Sequence, residues 1–258
     1  MSNQKTISKH TTMKKIITLG VALSMVAITN AQWGRRIKGN GNTTTIERSV
    51  GSYDEVALAG WFDVDLVDGK EGELTLKGES NLLEHIKTEV KDGKLIIKAE
   101  KGITLKPSNW KNGIHITVPV EAINSVTLSG SGDIVGKKTL KADAFETRIS
   151  GSGDITLSIE AQSITATMSG SGDINLDGST TDLEVQVSGS GDIKAYGLEA
   201  DNVTAQVSGS ADIKVTANES LNARVSGSGD ISYRGNPEKL KTKSSGSGDI
   251  SRELNRSL

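Results

Sequence analysis

The chain contains no cysteine. That excludes disulfides, thiolate metal sites and a Cys nucleophile, and it excludes the acylated Cys that a bacterial lipoprotein carries after its leader. Aromatic residues are 3% of the 258, so an interior has to be built from Val, Ile, Leu and Ala. Such a composition suits a thin core rather than a thick one. One long apolar run is present, Ile16 to Ile28, behind Lys14 and Lys15 and ahead of small residues that end at Ala31. It falls short of the ~20 residues that span a bilayer. The pattern is that of a secretory signal peptide over residues 1–31, with initiation at Met1 or Met13.

Removing that leader takes away four lysines and no acid, so the formal charge moves from −2 to −6. An acidic exported chain lacks the basic surface that nucleic acid or an anionic membrane requires. The expected location is the periplasm, the cell surface or beyond, for a mature chain that neither spans the membrane nor carries a lipid. His85 and His115 stand in no metal-ligand spacing, and no Ser–His–Asp arrangement is spelled out. The "GNGN" at Gly39 to Asn42 has no strand before it and no helix after it, so residues 32–45 read as a linker and not as a phosphate loop.

What the chain has in abundance is one hexapeptide. "SGSGDI" begins at Ser129, Ser150, Ser169, Ser188, Ser226 and Ser245, with "SGSADI" at Ser208, at intervals of 21, 19, 19, 20, 18 and 19 residues. A fixed short period marks a solenoid. Within a unit, Leu183, Val185 and Val187 alternate with Glu184, Gln186 and Ser188, and the phase runs on through Gly189 and Gly191 to Ile193. Period two means strand. A strand, a helix and a return need ~30 residues, so each unit holds only short strands and tight bends. The predicted fold is all-β: a right-handed parallel β-helix, or β-solenoid, of ~19-residue rungs over residues 121–258. The hexapeptide would be its repeated corner, with glycine at the bend and Asp accepting from nearby N–H groups. Ala211 in the fifth copy implies that the second glycine is not needed for a positive φ. In the last unit Leu240 is followed inward by Thr242 and Ser244, a polar interior that suits a terminal cap.

Residues 46–120 are predicted as a less regular β part, without the hexapeptide, that covers the open N-terminal end of the stack. Asp68-Gly69 and Asp92-Gly93 read as hairpin turns, and "SNLLEHI" as one or two helical turns with Ser80 or Asn81 as N-cap. The block "YDEVALAGWFDVDLVDGKEGELTLKGESNLLEHIKTEVKDGKLIIKAEK", then "GIHITVPV", "INSVTLSGSGDI" and the later copies, resembles a bacterial family frequent in Bacteroidetes, "putative auto-transporter adhesin, head GIN domain". The resemblance runs from about Tyr53 to Ile250. It implies an exported β-solenoid without enzymatic role, and no catalytic residues to carry over.

Rungs stack ~4.8 Å apart, which would set Asp133, Asp154, Asp173, Asp192, Asp212, Asp230 and Asp249 in one column. In water neighbouring carboxylates at that spacing repel by about 0.9 kcal/mol. They must splay, be held by backbone N–H groups, or attract cations. Structural calcium is one alternative, although calcium-binding nonapeptide repeats carry two turns per coil. The outward Ser188 and Ser190, with their equivalents, would form a hydroxyl ladder able to dock a glycan, a cell-wall polymer or another envelope protein. Trp61 and Trp110, if exposed together, would be the better glycan candidates. The competing reading is a carbohydrate-active β-helix enzyme, for which Asp63, Asp65 and Asp68 form the carboxylate cluster to inspect.

Overall fold

The computed structural model describes residues 35–109 and 113–254. The expected signal peptide and Trp110 lie outside them. Five long strands, Ile134–Gly151, Ile155–Gly170, Ile174–Gly189, Ile193–Gly209 and Ile213–Gly227, each run from one hexapeptide to the next. Successive ones pair in parallel along nearly their whole length. One period of the sequence is therefore one coil, as a β-solenoid requires. Short strands finish the stack: Ile231–Arg234, Lys239–Gly246 and Ile250–Arg252.

Register puts like on like. Ile134, Ile155, Ile174, Ile193, Ile213 and Ile231 follow one another in a buried file. A second file runs Leu128, Ile149, Met168, Val187, Val207, Val225. Each buried aliphatic contributes about 1.5–3 kcal/mol of transfer free energy, so this slender spine supplies most of the driving force. Alternation is not unbroken around the coil. Ile174, Leu176 and Thr180 are buried, and then Leu183, Val185 and Val187. The inward phase slips by one residue between Thr180 and Leu183, which places a second bend there.

The N-terminal part is the first rung with a long excursion inserted into it. Glu55–Gly60 pairs in parallel with Ser125–Gly130, matching Val56 to Val126 and Leu58 to Leu128. Val64 then meets Ile134. Residues Ala59 to Val64, "AGWFDV", thus occupy the corner position one rung before the first "SGSGDI", without its sequence. The excursion returns antiparallel strands across the end: Ile86–Lys91 on Lys94–Ala99, and Glu73–Glu79 on Thr43–Ser49. Leu82 and Leu83 are buried beneath them.

Several local readings change. Residues 35–45 are paired rather than free, since Arg35–Lys38 lies along Ile103–Lys106. Gly41 N–H donates to Glu79 Oε2, and Asn40 Nδ2 to Ser80 Oγ. The helical turn is Ser80–Leu83 with Glu79 at its N-cap, and Glu79 makes no capping bond because its carboxylate serves the loop opposite. Asp92-Gly93 does close a two-residue hairpin, with φ of +52° and +77° as a type I′ turn requires. Asp68-Gly69 does not: Asp63–Asp68 pairs with His115–Val120 and with the start of Ile134–Gly151. At the other end, Thr242 and Ser244 stand in register with buried Ala223 and Val225 yet are exposed. They end the core without covering it.

Candidate functional site

The repeated corner is built by hydrogen bonds between rungs. Ser152 N–H donates to the carbonyl of Gly130 at 2.8 Å, and the equivalent bond recurs at Ser171, Ser190, Ser210, Ser228 and Ser247. Ile134 N–H donates to the Asp154 carbonyl at 2.9 Å, and so on up the stack. The first glycine of each copy has a positive φ, +149° at Gly151 and +148° at Gly170. A Cβ at Gly170 would also lie 1.9 Å from the carbonyl oxygen of Gly151. No second glycine has such a φ, so its constraint is closeness alone: a Cβ at Gly172 would lie 1.9 Å from the Gly153 oxygen. Ala211 occupies this position, and there the first glycines stand looser: a Cβ at Gly209 would be 2.3 Å from the oxygen of Gly189. Phe62 fills the same place in the first rung, fully buried, where no earlier corner lies beneath it.

The seven aspartates do stand in one file, and Asp63 adds an eighth at its head. Each backbone N–H donates to Oδ1 of the aspartate one rung earlier: Asp133 to Asp63 (3.3 Å), Asp154 to Asp133 (3.0 Å), Asp173 to Asp154 (2.8 Å) and Asp192 to Asp173 (3.0 Å). Asp212, Asp230 and Asp249 continue at 3.0, 2.9 and 2.8 Å. One oxygen of each of these carboxylates before Asp249 is therefore answered by a backbone N–H, one of the three ways to relieve the column. Burial pushes the Asp173 carboxyl up, but Lys194 at 2.5 Å and the Asp192 N–H outweigh it and leave it below the ordinary range. Asp63 lies above that range, because burial outweighs the Asp133 N–H and the neighbouring Asp133 and Asp65 add to it.

Two serine files flank these aspartates. Ser150, Ser169, Ser188, Ser208 and Ser226 are in register and exposed. So are Ser152, Ser171, Ser190, Ser210 and Ser228 at the next outward position. Among the described residues, none of these hydroxyls has a hydrogen-bond partner within the protein. Trp61 takes the place of Ser131 at the head of the second file, half-buried, with its ring 5.2 Å from that of Phe62.

The other candidate groups are committed elsewhere. Asp65 receives His115 Nε2 at 2.9 Å and Lys137 at 3.1 Å, and Asp68 receives Lys138 at 2.5 Å. His85 Nδ1 lies 3.0 Å from Glu100 Oε2. Asp63 and Asp65 share the outward face of one strand, Asp68 ends it in the opposite phase, and Asp65 and Asp68 are each tied to cationic partners. Among the described residues no three His, Asp or Glu side chains converge as metal ligands, and no helix is long and apolar enough to cross a membrane. Sequence reasoning missed Asp63 as the head of the file, and the signal was the shared spacing of "GWFDVDL" with "GSGDITL".

Residues 52–237 match the family described as "putative auto-transporter adhesin, head GIN domain". A crystal structure of a "putative adhesin" from Bacteroides fragilis is similar to this chain at 26% identity and a TM-score of 0.77, covering 84% of this chain and 100% of that one. A "putative lipid binding protein" from Parabacteroides distasonis is similar at 27% identity and a TM-score of 0.71, covering 85% and 100%. A "putative adhesin" from Parabacteroides merdae, 18% identical with a TM-score of 0.68 over 85% and 100%, shares the fold. No curated protein matches the chain.

Proposed function

The chain belongs to the head GIN family, and on that premise we propose that it is an exported, non-enzymatic adhesive module that holds a repetitive, hydroxyl-bearing polymer. The polymer class is a glycan or cell-wall polymer, and the contact surface is the ridge of serine and aspartate files at the corner. One observation carries this reading: two exposed files of hydroxyls, without partners in the protein, recur at the rung spacing of ~4.8 Å on a backbone locked by bonds between rungs. A rigid ligand surface pays little ordering entropy on binding, and many weak polar contacts in a row sum to useful avidity. The adhesin relatives support the same reading. A lipid-docking surface has less support, since Leu240 and Leu254 are the large apolar side chains exposed among the described residues.

Retention of the mature chain on a panel of insoluble polysaccharides and peptidoglycan tests it, with release of new reducing or unsaturated ends assayed in the same tubes. Retention without cleavage is expected, and it should fall at least ten-fold when Ser169, Ser188 and Ser208 are together changed to Val. These side chains are exposed, so the fold should survive. Retention unaffected by that change, or release of new ends, would overturn the proposal.

A further inference from the structure

The two ends of the solenoid are finished differently. The N-terminal end is closed by antiparallel strands and by buried Leu82 and Leu83. At the C-terminal end of the described residues the strand Lys239–Gly246 pairs, among those residues, on one side only, with Ile213–Gly227, and all eight of its residues are exposed. Leu240, in register above fully packed Leu221, is 48% exposed. In every earlier rung the Asp carboxylate accepts a backbone N–H from the rung that follows, whereas among the described residues Asp249 accepts none. The last described rung thus presents, among the described residues, the whole template on which another strand could be laid: a free parallel edge, a half-covered apolar file and an unanswered carboxylate.

The outward face of that edge says what would lie on it. Lys239, Lys241 and Lys243 project at alternate positions, in register with Ser220, Asn222 and Arg224. None of the three is ion-paired among the described residues. Within the molecule, registered lysines on outward faces meet glutamate on the neighbouring strand: Lys94 with Glu55 and Lys141 with Glu160, each at 2.7 Å. Opposite charges directly across a strand pair stabilise it, and like charges oppose it. Edge lysines alone would serve to repel other edges, but here they sit beside an exposed Leu and a complete set of unanswered rung bonds.

We propose that the edge strand Lys239–Gly246 is a docking site for an extended acidic segment of a partner protein, added in parallel as one more rung. Its acidic residues would lie over Lys239 and Lys241, and its alternate apolar residues over Leu240, Thr242 and Ser244. This is strand addition, in which the backbone bonds give affinity and the alternating side chains give selectivity. The molecule's own fourth unit shows the required pattern: Asp182 and Glu184 flank Leu183, and Val185 and Val187 follow. A strand with that pattern would set Leu183 over Leu240, and its Asp192 N–H would meet Asp249.

The probe is therefore a synthetic peptide of sequence TDLEVQVSGSGDI, compared with the same peptide in which its first two acids, the equivalents of Asp182 and Glu184, are lysine and its last acid, the equivalent of Asp192, is kept. The full mature chain is titrated with each by fluorescence anisotropy, and amide exchange is followed in residues 239–246. The acidic peptide should bind at least ten-fold more tightly than the basic one, protect those amides, and weaken as salt rises. K239E/K241E/K243E should invert the preference, with an unchanged melting temperature to confirm that the exposed substitutions leave the fold intact. Equal binding of both peptides, or protection elsewhere, would overturn the proposal. So would a chain that ignores both peptides while K239Q/K241Q/K243Q dimerises in sedimentation, because the lysines would then only keep second copies away.

Discussion

Asp192 donates its backbone N–H to Oδ1 of Asp173 at 3.0 Å, while Oδ2 of Asp173 holds Lys194 at 2.5 Å. The carboxylate that the hexapeptide repeats is therefore a link between rungs, and its second oxygen is left for a side chain or solvent. A charge-assisted acceptor is the stronger kind, which explains why Asp stands there and not a third serine.

Asp192→Asn keeps an oxygen for the Asp212 N–H, whereas Asp192→Ala removes it. The Ala variant should lose about 1–2 kcal/mol, and the Asn variant well under half of that, by denaturant unfolding. If calcium between carboxylates held the file, Asn would be as damaging as Ala, and chelation would lower the melting temperature by many degrees. Chelation is expected to leave it unchanged.

Gly170→Ala should cost about 3 kcal/mol or more. It sets an L side chain at φ +148° and a Cβ 1.9 Å from a backbone oxygen, and strain and overpacking each reach that order. Ala211→Gly should be tolerated, since it removes the one methyl that the seven copies carry at the second-glycine position. Circular-dichroism melts of both variants check the asymmetry.

Thr147 sits in a buried file between Val126 and Ala166, fully enclosed, with Oγ1 lacking any partner. Thr147→Val keeps the shape and removes a desolvated hydroxyl. The gain should be about 1 kcal/mol, a rise of roughly 2–4 °C in melting temperature.

Glu79 is fully enclosed. Burial pushes its carboxyl up, but the N–H groups of Gly41 and Ser108 and the Ser108 hydroxyl outweigh that and leave it below the ordinary range. A depressed carboxyl stabilises the fold above its unfolded value, about 4.3, and that contribution is lost as the pH falls through the folded value. Amide protection around Gly41 and Ser108 should therefore fade in acid below about pH 4. Glu79→Gln should weaken it at neutral pH and flatten its dependence on pH.

Much of the framework is legible because strand alternation is local. Leu183, Val185, Val187 and Ile193 declare their inward face in a dozen residues, and the period then stacks them. "AGWFDV" escaped because two of its small residues are Trp and Phe, which the first rung tolerates with no corner below. Residues 39–42 looked like a linker because the partner that orders them, Glu79, lies 38 residues away. Asp68-Gly69 has the letters of a hairpin, but the strands on either side of it find other neighbours.

The residues alone determined that this chain coils, how long each coil is and which side chains face inward, since period and alternation follow from backbone geometry within one rung. Only the stacked structure decided which carboxylate meets which N–H, that Asp63 heads the file, and that among the described residues Lys239–Gly246 keeps an unpaired edge. Those are contacts between residues 18 to 70 positions apart, and nothing short of the completed pile brings them within reach.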